Sequence, residues 1–256
     1  HRPPWEEPTV PLSFEVLHED ADLLVIAKPA GLPVLPGGGF LEHTLLWQLQ
    51  RRYPNETPVP IHRLGRGTSG LMLLARSPLA RSKLTQQMRD NTLGKSSDRP
   101  ICKTYRTLVQ GCEMPDSFVV TTPIGKLPHP TLGYVYGATP RGRSAHSECI
   151  VLERRLDTAL LEVTILTGRP HQIRIHLAAA GHPLIGGPLY TVGGVPVGYP
   201  DYLDARTTIH AHSPLPGDCG YHLHAYSLTF SHPRTAQPMQ VICPPLPELE
   251  QAGELH

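Results

Sequence analysis

The sequence lacks any apolar run long enough to cross a bilayer. Its longest aliphatic stretches, residues 23–27 and 71–75, fall far short of the roughly 20 residues a membrane helix needs. No basic-then-apolar signal segment opens the chain. No charge surplus exists either: net charge is +1 and the sequence pI 7.9. Any contact with a polyanion must therefore come from a local basic surface. There is no C-x-x-C pair. Cys102, Cys112, Cys149, Cys219 and Cys243 are odd in number and scattered, which fits buried thiols in a reducing compartment. The expected location is the cytoplasm, or an organelle if an upstream targeting segment has been removed. The fifteen histidines include His210-x-His212 and His222-x-His224, but no cysteine or carboxylate stands at ligand spacing, so no metal is expected. No internal repeat and no long linker divides the chain. Its 256 residues, 39% hydrophobic, suffice for one core. The expected organisation is a loose arm over 1–11, one domain over 12–246 and a tail over 247–256.

Residues 14–17 and 23–27 read as two strands around an acidic turn. The following Lys28-Pro29-Ala30-Gly31-Leu32-Pro33-Val34 can continue neither as helix nor as inner strand, because proline fixes φ and removes a donor. Thr44 before Leu45, Leu46, Leu49 and Tyr53 predicts an N-capped amphipathic helix that ends before Pro54. Ser77-Pro78 predicts a second helix to about Asp90, with Leu79, Leu84 and Met88 buried and Arg76, Arg81, Lys83 and Arg89 mostly wet. Strands follow at 101–109, 118–121, 145–152 and 159–166, the last with Leu161, Val163 and Ile165 on one face. Residues 94–100 read as an exposed loop and 128–142 as turn-rich. A helix over 170–180 starts at Pro170 and stops at Gly181. Residues 191–221 form an irregular surface excursion whose length hints at a function or a clip. Strands at 223–230 and 239–242 flank a final turn. This order predicts an α+β fold: a mixed, largely antiparallel sheet with helices on its outer sides and a cleft on the other face.

Two stretches concentrate the chemistry. The first is Pro60-Ile61-His62-Arg63-Leu64-Gly65-Arg66-Gly67-Thr68-Ser69-Gly70, which joins a proline-marked loop to an apolar run. Glycines let backbone come close to a ligand, and arginine forks suit phosphate and carboxylate. A turn with solvated arginines has the same composition. The second is Thr167-Gly168-Arg169-Pro170-His171-Gln172-Ile173-Arg174, a strand end running into a helix start whose free amides favour an anion. Arg174 lies one turn beyond His171, so the two share a face. Pairing of Arg174 with a carboxylate in the sheet is the structural alternative. Arginine is also dense at 51–52 and 76–89.

Together these segments resemble the RluA-type pseudouridine synthases. That family carries H-R-L-D-x-x-T-S-G where this chain has His62 to Gly70, and T-G-R-x-H-Q-I-R where it has Thr167 to Arg174. A K-P-x-G-L-x-V run matches Lys28 to Val34, K-x-Y matches Lys103-Thr104-Tyr105, and G-H-P-I-x-G-D matches residues 181–187. The matches run in family order from residue 12 to about 246. The resemblance implies a pseudouridine synthase-like fold and isomerisation of uridine to pseudouridine in RNA, tRNA or rRNA, without cofactor or metal and away from membranes. It implies that Tyr105 stacks on a flipped base, that Arg63 braces the flipped nucleotide, and that Arg174 pairs with the nucleophilic aspartate. His62, Arg66, Thr68, Lys103, Arg169 and His171 are the expected substrate-binding residues. The aspartate itself is missing: its position is Gly65, and a second family aspartate falls on Gly187. Two expectations follow. In one, the chain is a working synthase that draws a carboxylate from Asp90, Asp98 or Asp157. In the other, it is a silent relative that binds RNA in the same cleft.

Overall fold

Hairpins of adjacent strands build most of the molecule. The computed structural model describes residues 6–92, 101–201 and 214–254. Strands β1 (Glu15–Glu19) and β2 (Leu23–Lys28) turn about Asp20, whose carboxylate accepts the amides of Asp22 and Leu23 at 2.7 and 2.8 Å. Helix α1 (Leu45–Arg52) begins where Thr44 Oγ1 accepts the Trp47 amide at 3.3 Å. The short β3 (Val59–Pro60) precedes β4 (Ser69–Ala75), all seven residues of which are buried. Helix α2 (Pro78–Thr92) is capped by Ser77 Oγ on the Ala80 amide and packs against β4.

Beyond it come β5 (Cys102–Gln110), β6 (Ser117–Val120), β7 (Ile124–His129), β8 (Gly133–Ala138), β9 (Ser147–Arg154) and β10 (Thr158–Ile165). Helix α3 (Gln172–Ala179) and strands β11 (Leu223–Ser231) and β12 (Pro238–Ile242) complete the order. The main sheet runs β1-β2-β4-β11-β5-β10-β9-β6, with β3 on β4 and β12 on β11, while β7 and β8 form a separate ribbon. This is the α+β architecture expected from the sequence.

Among the described strands one pairing is parallel: β4 meets β11 at Ser69↔His224 and Gly70↔Ala225. Here the two halves of the sheet join. Gly70 has φ +101°, and a Cβ on it would collide with the backbone O and N of Ala225, the latter at 2.6 Å. Only glycine lets the two chains come this close. Ser69 Oγ and His224 Nδ1 close the seam at 2.9 Å, and His224 Nε2 reaches the Cys243 carbonyl at 3.1 Å. With both ring nitrogens engaged, His224 is unsuited to a metal.

A second clip ties three turns together. Asp22, 2% exposed, accepts Arg234 Nε and Nη2 at 2.6 and 2.7 Å and the Ser77 hydroxyl at 2.6 Å. Partial burial raises the pKa of the neighbouring Asp20, but His18, the two amides and His232 together hold it down to about 2. Asp20, Asp22 and His232 gather three metal-type donors, yet the bonds just named already engage them.

Four expectations are corrected, the first on α2, where Leu84 is buried but Leu79 is 38% exposed. Residues 128–142 are not merely turn-rich: β7 and β8 pair from Ile124↔Ala138 to His129↔Gly133. Pro128 sits exposed in a two-stranded ribbon, where its missing N–H is tolerated. The helix expected from Pro170 starts at Gln172, because His171 adopts a left-handed φ of +55°. The stretch 191–221 is not all surface, since Pro196 is buried and Tyr221 is 6% exposed. Residues 202–213, with His210 and His212, and residues 93–100, with Asp98, lie outside the described residues.

Replacing Gly70 by alanine should cost about 3 kcal/mol or more, from the collision and the positive φ together. Urea unfolding checks this: the midpoint should fall sharply in Gly70→Ala, while an unchanged midpoint would show that the seam tolerates a side chain.

Candidate active site

The loop between β3 and β4 hangs beside the seam and is fastened from beneath. Lys28, 1% exposed, donates its ammonium to the carbonyls of Pro29, Leu32 and Arg66 at 2.8, 3.0 and 3.2 Å. The Gly31 amide donates to the same Arg66 carbonyl at 2.8 Å. Burial lowers the Lys28 pKa to about 7. Within the loop, the Thr68 amide turns back to the Gly65 carbonyl at 3.1 Å.

The loop faces Tyr105 of β5, Ile165 at the end of β10, the first turn of α3, and Tyr221 and Leu223 at the start of β11. Between them is a cavity of about 110 Å³, lined by residues that include Arg63, Gly65, Thr68, Tyr105, Arg169, His171, Arg174 and Tyr221. Arg63, Gly65, Arg169 and His171 also line a wider groove of about 660 Å³ along the β7–β8 ribbon, with Tyr134 and Tyr136.

The side chains of this cavity are individually anchored. Gln172, 3% exposed, accepts the Thr167 hydroxyl and the Arg169 amide, and donates to the His146 carbonyl at 2.9 Å and Ser147 Oγ at 3.0 Å. Tyr190 Oη donates to the Tyr136 carbonyl at 2.9 Å, so its bond to His171 at 2.7 Å assigns the proton to His171 Nδ1. Burial, then the charges of Arg174 and Arg63, push the His171 pKa down to about 3, leaving the ring neutral. Burial raises the Tyr105 phenol to about 12, so it stays protonated. Arg169 Nε donates to the Ser144 carbonyl at 2.9 Å.

Arg174 is 5% exposed, and its Nη2 has no hydrogen-bond partner. Its guanidinium carbon stands 4.2 Å from the Tyr221 ring centroid and 5.3 Å from that of Tyr190. No Asp or Glu lines the cavity among the described residues, and neither Asp90 nor Asp157 reaches its wall.

The residues singled out in the sequence thus separate into two groups. Arg63, Gly65, Thr68, Tyr105, Arg169, His171 and Arg174 converge on the cavity; His62, Arg66 and Lys103 do not line it. His62 Nε2 accepts the Leu73 amide at 3.1 Å, bracing β4. Arg66 Nε donates to the Gly217 carbonyl at 2.9 Å, and its guanidinium lies 5.2 Å from the Phe40 ring centroid. Lys103 is half-buried on β5, with its Nζ 3.8 Å from where a Gly168 Cβ would stand. Tyr221, Gln172 and Lys28 were not anticipated. For Tyr221 a signal exists: Tyr221, Leu223 and Ala225 alternate into the core, extending the strand pattern upstream.

Fold and site define a class: an α+β protein with an arginine-lined slot against a large, mainly antiparallel sheet. The chain matches the RNA pseudouridylate synthase family model over residues 22–179, and it belongs to that family. It is 49% identical to an uncharacterized RNA pseudouridine synthase of Synechocystis sp. over 97% of this chain and 78% of the relative. It is 41% identical to RNA pseudouridine synthase 5 of Arabidopsis thaliana, over 98% and 76% of the two chains. The solved structure of human RNA pseudouridylate synthase domain containing 1 shares the fold, with a TM-score of 0.67 at 22% identity over 96% and 89% of the chains. Among the described residues no helix is long and apolar enough to cross a membrane.

Burial, then the charge of Lys103, pushes the His62 pKa from 6.5 to about 3. His62 and His171 both stay neutral in the fold and gain protons on unfolding below pH 6.5. Stability should therefore fall as pH drops from about 6.5 towards 3, by on the order of 1 kcal/mol per pH unit for each ring. Urea midpoints across pH 7 to 4 test this: His62→Gln should flatten the profile, and a wild-type profile flat over that range would contradict the assignment.

Proposed function

We propose that this cleft takes a uridine turned out of a structured RNA, tRNA or rRNA, and isomerises it to pseudouridine. One observation carries the reading: Tyr105, Arg174 and Gly65, distant in sequence, line one cavity. A base must leave its stack to enter such a slot. Tyr105 offers a ring for stacking and a phenol that stays protonated. Arg63, exposed, and Arg169, at the rim shared with the wider groove, suit the phosphates on either side and brace the flipped nucleotide. Thr68 adds a hydroxyl. The names of the relatives support RNA as the partner, and one of them, ribosomal large subunit pseudouridine synthase D of Neisseria meningitidis, is 33% identical over 91% of this chain and 59% of the relative.

The isomerisation breaks the N1–C1′ bond, turns the base and forms a C5–C1′ bond; N1 gains a proton and C5 loses one. No cofactor enters that balance. A carboxylate is the natural partner for C1′ or its neighbouring proton, and position 65 supplies none. That absence favours a second reading, in which the chain binds the flipped base without turnover.

Release of tritium from RNA labelled at uridine C5 separates the two readings. Gly65→Asp should release it on the order of 10³-fold faster than wild type, the scale of a restored nucleophile. A Cβ at position 65 would stand 3.0 Å from Tyr221 Oη, so Gly65→Asp combined with Tyr221→Phe provides the unhindered version. Wild-type release above background supports turnover, and release from the variant alone supports the binding reading. If neither protein releases tritium or binds RNA in a salt-sensitive manner, both readings fall.

A further inference from the structure

The surroundings of Arg174 are those of an unmatched cation. The side chain is 5% exposed, and Nη2 is buried without a hydrogen-bond partner. The guanidinium lies over the faces of Tyr221 and Tyr190, 4.2 and 5.3 Å from carbon to centroid, a cation–π contact that gives Nη2 no hydrogen-bond acceptor. Arg63 and Arg169 line the same cavity, and no carboxylate does among the described residues. A buried, unpaired charge is costly, and an anion removes the cost.

The shape of the cavity indicates which anion. A Cβ on Gly65 would stand 3.0 Å from Tyr221 Oη and 3.5 Å from Thr68 Oγ1, so Gly65 and Arg174 approach the same tyrosine. Thr68 Oγ1 and Tyr221 Oη share one hydrogen bond at 3.3 Å, which leaves the second hydroxyl proton to donate elsewhere. A planar fork facing two hydroxyls suits a flat carboxylate better than a tetrahedral dianion.

We propose that the pocket between Gly65 and Arg174 binds a small free carboxylate, of the size of formate or acetate, on the Arg174 guanidinium and the Thr68–Tyr221 hydroxyl pair. A second consequence rests on the uridine reading of the cleft. The bound carboxylate supplies the group that position 65 lacks. One of its oxygens bonds to C1′ as the N1–C1′ bond breaks, and that electron pair passes to N1. When C5 bonds to C1′, the carboxylate leaves with the O–C1′ pair, C5 releases its proton to solvent and N1 takes one up. The carboxylate is regenerated and nothing is oxidised.

The test is thermal unfolding of the full chain in sodium acetate or formate against sodium chloride at equal ionic strength, without RNA. Wild type should gain a saturable rise in midpoint. Gly65→Ala, which fills the space, and Gly65→Asp, which brings its own carboxylate, should gain none, and Arg174→Gln should lose the effect. An equal rise in every variant, no rise in wild type, or a rise with inorganic phosphate but not acetate would each overturn the site. In the tritium assay, acetate should raise wild-type release at least tenfold and leave Gly65→Asp unchanged. An active Gly65→Asp beside a wild type unresponsive to acetate in both assays removes the carboxylate site and leaves the uridine reading standing. Saturable acetate binding by wild type beside an inactive Gly65→Asp supports the site and counts against the uridine reading instead.

Discussion

Gly70 sits where two antiparallel half-sheets are joined by one short parallel contact, and its missing Cβ lets β4 lie against the backbone of Ala225. The rest of the cleft is arranged from that point. The loop carrying Arg63, Gly65 and Thr68 leads directly into β4, and Tyr221 leads into β11. Tyr105 lies on β5 opposite Ala225. A close backbone approach in the middle of the sheet therefore sets the distance between the loop and the floor of the cavity. Glycine's conformational liability is accepted at the position where it fixes the site.

Charge is the second determinant. The cavity wall holds Arg63, Arg169 and Arg174 with no carboxylate among its described residues, and His171 beside them is kept neutral first by burial and then by the charges of Arg174 and Arg63. Lys28 lies under the same loop, but its ammonium is turned to three carbonyls and serves as a fastener. Arg66 is likewise engaged, by the Gly217 carbonyl and the Phe40 ring. The basic residues of this region thus divide into those that hold the loop in place and those that line the cavity, where Arg169 has one N–H on the Ser144 carbonyl and Arg174 keeps Nη2 unbonded. A groove edged by Arg63 and Arg169 beside a cavity that holds the buried Arg174 follows from this division.

Much of this was legible in the chain because it is encoded locally. Thr44 and Ser77 cap the helices they were expected to cap, and Leu161, Val163 and Ile165 bury one face of β10 as their alternation requires. The hairpin of β7 and β8 was hidden because Pro128, Gly133 and Gly137 carry turn character even when they sit in strands. Residue type alone also could not distinguish Arg63, exposed at the cavity, from Arg66, turned away from it and bonded to Gly217: the partner lies 151 positions away in sequence. His62 illustrates the same limit, since its ring turns inward to the Leu73 amide. Tyr221 escaped notice because it ends an irregular stretch, although its period-two relation to Leu223 and Ala225 marked it as strand.

The proposed function requires this slot to receive a base withdrawn from the RNA stack. The most direct measurement places 2-aminopurine beside a uridine in an RNA hairpin and follows its fluorescence as the protein is added. Base extrusion unstacks the probe, so fluorescence should rise on binding to wild type and rise much less for Tyr105→Leu at saturating protein. Tight binding with no change in fluorescence would contradict the account, since the RNA would then be held with its bases still stacked.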